Sequence, residues 1–215
     1  MQSTATVIEL PGRVLKPRAR QVRTRISYMD NAQLEKFLRA AKEHGPREHA
    51  MFLFAVAHGA RASEICNLRI SDVNFRTEQV HIARLKGSLD STQTLLRVKG
   101  SSLFNEPAAL KGWLDVRKPD ADEYVFNSQK STRLNRVTVF KLFREIARAA
   151  GLPGSLQHPH TLKHTAAMLM VHAGANAFLI RQHLGHRSFD STLKYVNPSD
   201  SDASAASARA ISQVF

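Results

Sequence analysis

A mostly helical α+β domain carrying one small antiparallel β-hairpin or sheet is the fold this sequence predicts, on three observations. Apolar residues recur at three- and four-residue intervals through most of the chain, the period drops to two between Val73 and Leu96, and glycine or proline punctuates nearly every segment. The 215 residues are enough to bury a full core in one compact domain with a short appendage, and too few for two large domains.

Residues 1–26 hold no sustained period, contain Pro11, Gly12 and Pro17, and carry six arginines and lysines between Arg13 and Arg25 against the single acid Glu9. They read as a flexible basic arm, either gripping a nucleic-acid backbone or serving as a plain leader. Asp30 with Gln33 makes a capping-box start, and Leu34, Phe37, Leu38 and Ala41 form one stripe, so a helix is expected over 31–44. Pro46 opens a second helix that is apolar nearly all round, hence central, and ends at Gly59. Arg61 then falls in a short connection, and Ser63 is expected to cap a third helix over 64–68. Val80 and Ile82 alternate with Gln79 and His81, and Thr94, Leu95 and Leu96 return after a polar tip at Lys86-Gly87. A helix over 107–117, a short strand over 124–126 and a helix capped by Asn135 and stopped by Gly151 follow. After Pro153-Gly154 come a helix capped by Thr161 and ended by Gly174, a second over 177–184 stopped by Gly185, and a third from Ser188 to Tyr195. The 198–215 tail is rich in Ser and Ala and turns apolar again at its end.

The formal net charge of +13 is far from the balance of a metabolic enzyme and favours a polyanionic partner, nucleic acid first. A single cysteine, Cys66, rules out an internal disulfide and a cysteine-rich zinc knuckle, and its apolar setting between Ile65 and Leu68 makes it a packing thiol. The longest apolar run, residues 51–57, is far short of a membrane span, and the arginine-rich start lacks an apolar segment with a cleavage site. No membrane contact and a location in the cytoplasm, on the nucleoid, are therefore expected.

The chemistry concentrates in residues 158–195, where His160 and Lys163 share a helix face and His164 stands one step round from it. Zinc binding by His160 and His164 fails, because no glutamate stands second in the motif and Lys163 would repel a dication. No metal and no other cofactor is expected. Acyl transfer lacks a G-x-S-x-G elbow, and no glycine-rich loop with a following lysine cradles a nucleotide. Metal-free phosphoryl transfer survives: cations hold the non-bridging oxygens, a tyrosine attacks phosphorus, and histidine or lysine moves protons. For Tyr195 taken alone, a packed ring with a wet hydroxyl is the competing reading.

The strings His58-Gly59-Ala60-Arg61-Ala62-Ser63-Glu64-Ile65, Arg84-Leu85-Lys86-Gly87, His160-x-x-Lys163, Leu184-Gly185-His186 and finally Tyr195 resemble, in order and spacing, the tyrosine recombinase (phage integrase) family. Residues 27–197 carry the resemblance as one catalytic domain. It is greatest toward the short members that invert a promoter segment in fimbrial phase variation, with which the G-x-R-A-S-E-I-C-x-L-R-I-S-D run of residues 59–72 is shared. The resemblance implies site-specific DNA strand exchange, by inversion or integration, through a 3′-phosphotyrosyl link that conserves the bond energy. In that scheme Arg61 binds the scissile phosphate, Glu64 supports it, and Lys86 protonates the leaving 5′ oxygen. His160 assists proton transfer, His186 donates a hydrogen bond to the phosphate, and Tyr195 is the nucleophile. Arg84, Arg181 and Arg187 are further candidate DNA contacts. The family also implies a tetramer on two synapsed duplexes, an accessory DNA-bending protein, and a C-terminal docking segment, for which residues 211–215 are the candidate.

One position departs from the family pattern. Where H-x-x-R supplies a second arginine, this chain has Lys163, which keeps the charge but lacks the planar fork that grips two oxygens. A slower enzyme follows, or a DNA-binding regulator that has kept the fold and lost the chemistry. A type IB topoisomerase, with the same chemistry and no sequence preference, is the third reading.

Overall fold

The computed structural model of the chain describes residues 26–85, 87–118, 122–128, 130 and 132–196, with 204–205, 207–208 and 211–212 in the tail. The basic arm up to residue 25, Lys86 and residues 213–215 of the candidate docking segment lie outside the described residues.

Helices α1 (Asn31–His44) and α2 (Pro46–Ala57) form a hairpin around Gly45. Asp30 caps α1 by accepting the Gln33 N–H at 2.8 Å, while the Gln33 side chain returns a bond to the Asp30 N–H at 3.0 Å, the capping box expected from the sequence. The α1 stripe Leu34, Phe37, Leu38 and Ala41 is buried, and α2 is buried on nearly every side. Phe37 and Phe52 meet Phe143 of α5 (Arg136–Ala149) with ring centroids 4.8 and 5.6 Å away, in the tilted and edge-on arrangements that aromatic rings prefer. That cluster, closed on its flank by α4 (Glu106–Val116), is the centre of the main core.

The third helix, α3 (Ala62–Asn67), starts two residues earlier than its sequence suggests. Ser63 is not its cap. Arg61 occupies the N-cap position, and the carboxylate of Glu64 reaches back to accept the Arg61 N–H at 2.9 Å. Strands β1 (Val73–Asn74), β2 (Gln79–Ile82) and β3 (Ser91–Thr94) form one antiparallel sheet in sequence order. Gln79 pairs with Thr94 and Ile82 with Ser91, so Leu95 and Leu96, expected inside the strand, follow it. No strand forms at 124–126, because that segment contributes single rungs: Tyr124 bridges Arg69, and the Val125 N–H donates to the Leu68 carbonyl at 2.8 Å.

The C-terminal block folds as α6 (His160–His172), α7 (Ala177–Leu184) and α8 (Asp190–Leu193). His160 is the first residue of α6, so Thr161 lies inside the helix and caps nothing; its hydroxyl meets the His158 ring at 3.2 Å. Asn176 caps α7, and Gly185 ends it in the left-handed conformation at φ 65°. A Cβ at Gly185 would stand 2.7 Å from the Leu89 carbonyl oxygen, so glycine here lets the β2–β3 loop close against the end of α7. Ala166, Ala167, Ile180, Leu184 and Tyr195 make a second, smaller apolar cluster. Among the described residues no helix is long and apolar enough to cross a membrane.

Candidate active site

The turn after α2 is where the site assembles, and its parts come from four separated stretches. Gly59 adopts φ 56°, and a Cβ there would run into the Leu184 side chain, so glycine lets α7 pack Leu184 directly on this turn. Lys163, on the first turns of α6, fills the gap from below. Its Nζ donates to the Gly59 carbonyl at 3.1 Å and to the Leu184 carbonyl at 2.8 Å, and the residue is only 2% exposed. Burial, and after it the charges of Arg61 and Arg84, pulls this ammonium down to about 7.

Glu64 is the anion that holds the cations apart. Its fully buried carboxylate pairs with Arg61 Nη1 at 2.6 Å and Arg84 Nη1 at 3.0 Å. Burial alone would raise its pKa, but the Arg61 N–H and the charges of Arg84 and Lys163 outweigh that and hold it below the usual range. The Arg61 guanidinium keeps a partly open face and bonds Ser88 Oγ at 3.2 Å, which fixes it beside the β2–β3 loop that carries Lys86. Gly87 of the same loop lies against Arg187, which is exposed.

Arg84 does not face DNA as expected. Its side chain is fully buried, donating to the carbonyls of His58 and His183 at 2.8 Å each as well as to Glu64. Arg84 and Gln93, whose Nε2 also reaches the His183 carbonyl at 2.8 Å, therefore hold the end of α7 against the sheet. Behind them His58 bonds both Gln93 and the fully buried Glu106, tying α2, β3 and α4 together. Of the other two candidate DNA contacts, Arg187 is exposed at the surface, while Arg181 is half-buried and donates to the Arg187 carbonyl at 3.0 Å.

Past Gly185 the chain turns His186 inward, where its Nδ1 meets Thr192 Oγ1 at 3.0 Å and its ring stacks on Tyr195, centroids 6.3 Å apart and planes within 10°. Tyr195 is buried to 8% exposure, and that burial raises its phenol to about 12, against the pull of Arg61. The Tyr195 hydroxyl bonds Nδ1 of His164 at 2.8 Å. Sequence spacing had offered His164 only as a rejected zinc ligand. Its side of α6 follows from its position one residue after Lys163, but its partner 31 positions on could not be read from periodicity. His160, one turn earlier and open to solvent, packs edge-on to His164 at 4.8 Å and is lowered by desolvation, then by Lys163 and Arg61.

Burial first, then neighbouring cations and histidines, holds His164 and His183 down to about 4 and His186 to about 3. Unfolding returns each to about 6.5, so the unfolded chain takes up protons first as pH falls, and stability present above 6.5 is lost toward pH 4. After discounting the partly exposed rings, about 3 kcal/mol should vanish between pH 7 and pH 5, a drop of about 10 °C in Tm. Thermal melts followed by circular dichroism at the two pH values check this. An unchanged Tm would mean that these rings are not neutral in the fold.

Comparison with known proteins gives this geometry its relatives. Residues 27–202 match the model of the Phage integrase family. The chain is 34% identical over 174 residues to the Type 1 fimbriae regulatory protein FimB of Escherichia coli (strain K12), covering 79% of this chain and 83% of that protein. Among solved structures it superposes on XerA recombinase with a TM-score of 0.68 at 26% identity, over 86% of this chain but only 65% of that one. It also superposes on XerH site-specific recombinase bound to difH substrate in a pre-cleavage complex, with a TM-score of 0.69 at 22% identity, over 84% of this chain and 53% of that one.

Proposed function

The chain belongs to the phage integrase family, the tyrosine-type site-specific recombinases, and from that premise we propose that it cuts and rejoins duplex DNA through a 3′-phosphotyrosyl intermediate. The observation that carries the reading is that Lys163 bonds the Gly59 and Leu184 carbonyls, His186 stacks on Tyr195 and the charge of Arg61 reaches both rings, although 134 positions separate Arg61 from Tyr195. A tyrosine within reach of the Arg61 charge and beside the imidazoles of His164 and His186 has what a metal-free phosphoryl transfer needs.

The scissile phosphate enters over the open face of Arg61, which Glu64 and Ser88 hold in place. Arg61 and Lys163 compensate the charge that builds on the non-bridging oxygens, and His186, oriented by Thr192, donates to one of them. Tyr195 attacks phosphorus, and the 5′ oxygen departs with a proton from Lys86 on the adjoining loop. The reverse attack by a 5′ hydroxyl reseals the strand. Of the candidate outcomes, DNA inversion fits the resemblance to FimB, and the net charge of +13 supplies the sequence-independent grip on phosphate. A tetramer on two synapsed duplexes, aided by a DNA-bending protein, is the working assembly. The direct test is covalent capture: duplex fragments from the DNA flanking the gene should yield an SDS-stable adduct with wild type, and failure on every fragment would sink the reading.

A specific observation also favours the second reading, a DNA-binding regulator with weakened catalysis. Two of the three Lys163 donors are already committed to carbonyls, and its charge fades above about pH 7. Lys163→Arg separates the two. A guanidinium stays charged and can keep a carbonyl while offering a second N–H to the phosphate. Cleavage of a suicide substrate should rise about tenfold or more at pH 8 and change little at pH 6. Equal or lower rates at both would mean that the pocket is fitted to lysine.

A further inference from the structure

We propose that His164 takes the phenol proton of Tyr195 during strand cleavage and returns it during resealing, a role that rests on the recombinase reading above. Two histidine rings, His164 and His186, lie against this tyrosine and a third, His160, packs on His164, and the three are not equivalent. His186 lies parallel to the Tyr195 ring with centroids 6.3 Å apart and spends its Nδ1 on Thr192, and it makes no hydrogen bond to the hydroxyl among the described residues. His160 packs against His164 and stays open to solvent. His164 alone, among the described residues, forms a hydrogen bond with the Tyr195 hydroxyl, at 2.8 Å.

The role requires His164 to be a neutral ring in its Nε2–H tautomer. Burial and the surrounding His160, His158 and Lys163 keep His164 neutral at physiological pH, its pKa lowered to about 4. A neutral ring protonated on Nε2 leaves Nδ1 as an acceptor, so the phenol donates and its proton already points at the base. At rest the transfer is uphill, because burial holds the phenol near 12. A phosphodiester bound at Arg61 changes both ends: its negative charge favours an imidazolium at His164, and the phenol acidifies as its oxygen bonds to phosphorus.

The step balances as follows. The Tyr195 Oη–P bond forms, the P–O5′ bond breaks, the phenol proton moves to His164 Nδ1, and the departing 5′ oxygen takes a proton from the general acid. In resealing, the attacking 5′ hydroxyl gives up its proton and the His164 imidazolium returns one to the phenolate. His160, exposed and one helical turn away, is placed to stabilise the imidazolium or pass its proton to solvent.

A base acting on the nucleophile and an acid acting on the leaving group respond differently to a 5′-bridging phosphorothiolate, because a thiolate leaves without protonation. The probe is a nicked suicide duplex bearing the sequence that wild type enriches from randomised duplexes, made in oxygen and sulfur forms. His164→Ala should slow adduct formation about 10²- to 10⁴-fold on both forms, and added imidazole should restore part of the rate. His164→Asn, whose amide oxygen can stand where Nδ1 does but cannot take a proton, should keep the wild-type Tm and DNA affinity and remain slow. A wild-type rate for His164→Asn would overturn the proposal by reducing His164 to a positioning contact. A His164→Ala defect that disappears on the sulfur substrate would overturn it by moving the residue to the leaving group. No adduct with wild type on either form would overturn the recombinase reading itself, and this role with it.

Discussion

Tyr195→Phe is expected to abolish SDS-stable capture of DNA while leaving DNA binding within about twofold of wild type and the fold intact. The substitution removes the oxygen proposed to form the covalent link and little else. The phenyl ring keeps its place in the cluster of Ala166, Ile180 and Leu184 and its stacking on His186. The lost hydrogen bond to His164, which is only half-buried and can turn to water, costs about 1 kcal/mol, or 2–4 °C in Tm. Affinity for phosphate is expected from surface arginines and lysines that the change does not touch. Gel shift, melting and adduct formation on one DNA therefore report three separate quantities. Residual adduct on Tyr195→Phe would place the nucleophile elsewhere, and a collapse in melting would mean that the hydroxyl serves the fold more than the chemistry.

How much of this site was legible in the sequence depends on what kind of fact each part is. Helices announced themselves wherever a stripe and a cap agreed, as with Asp30 and the Leu34–Ala41 face, Asn135 before α5, and Gly185 after α7. These are local signals, satisfied within a turn or two of chain. The proposed nucleophile and phosphate ligands were legible only as a family pattern, since nothing local tells a buried reactive phenol from a packed one. What the sequence misplaced were pairings across space. Arg84 was a candidate DNA contact; yet Val80, Ile82 and Arg84 share one parity, the inward one, and that alternation was the available signal. Ser63 looked like the better cap by residue type, but the Glu64 carboxylate reached the Arg61 N–H while also neutralising two arginines, a double role no propensity scale contains. The segment 124–126 has strand-like residues and no strand neighbour to extend with, so pairing stopped at single rungs.

Glu64→Gln should be the most damaging change that leaves every proposed phosphate ligand in place. Three cations, Arg61, Arg84 and Lys163, act on this one carboxylate, and Arg84 has no exposed surface through which water could replace it. A glutamine keeps the shape but offers one acceptor where two arginines and a backbone N–H converge, and it sets an NH₂ against a guanidinium. Leaving a buried arginine without its counter-ion costs about 3–5 kcal/mol, so Tm should fall by about 10 °C or more. The chemistry should suffer separately. Arg61 loses the clamp that aims it, and Lys163, already mostly neutral at pH 7.5 and sustained in part by Glu64, should drop further below about 7 and lose the charge that remains. Cleavage at pH 7.5 should fall about 10²-fold or more, with part of the loss recovered at pH 6.5 as Lys163 regains its proton. Arg61→Ala makes the contrast. Removing that partly open side chain leaves the Glu64–Arg84 pair whole, so cleavage should fall as far with little change in Tm and no recovery at lower pH. Wild-type melting of Glu64→Gln would mean that Arg84 is held by the His58 and His183 carbonyls alone, and that the carboxylate serves only to aim Arg61.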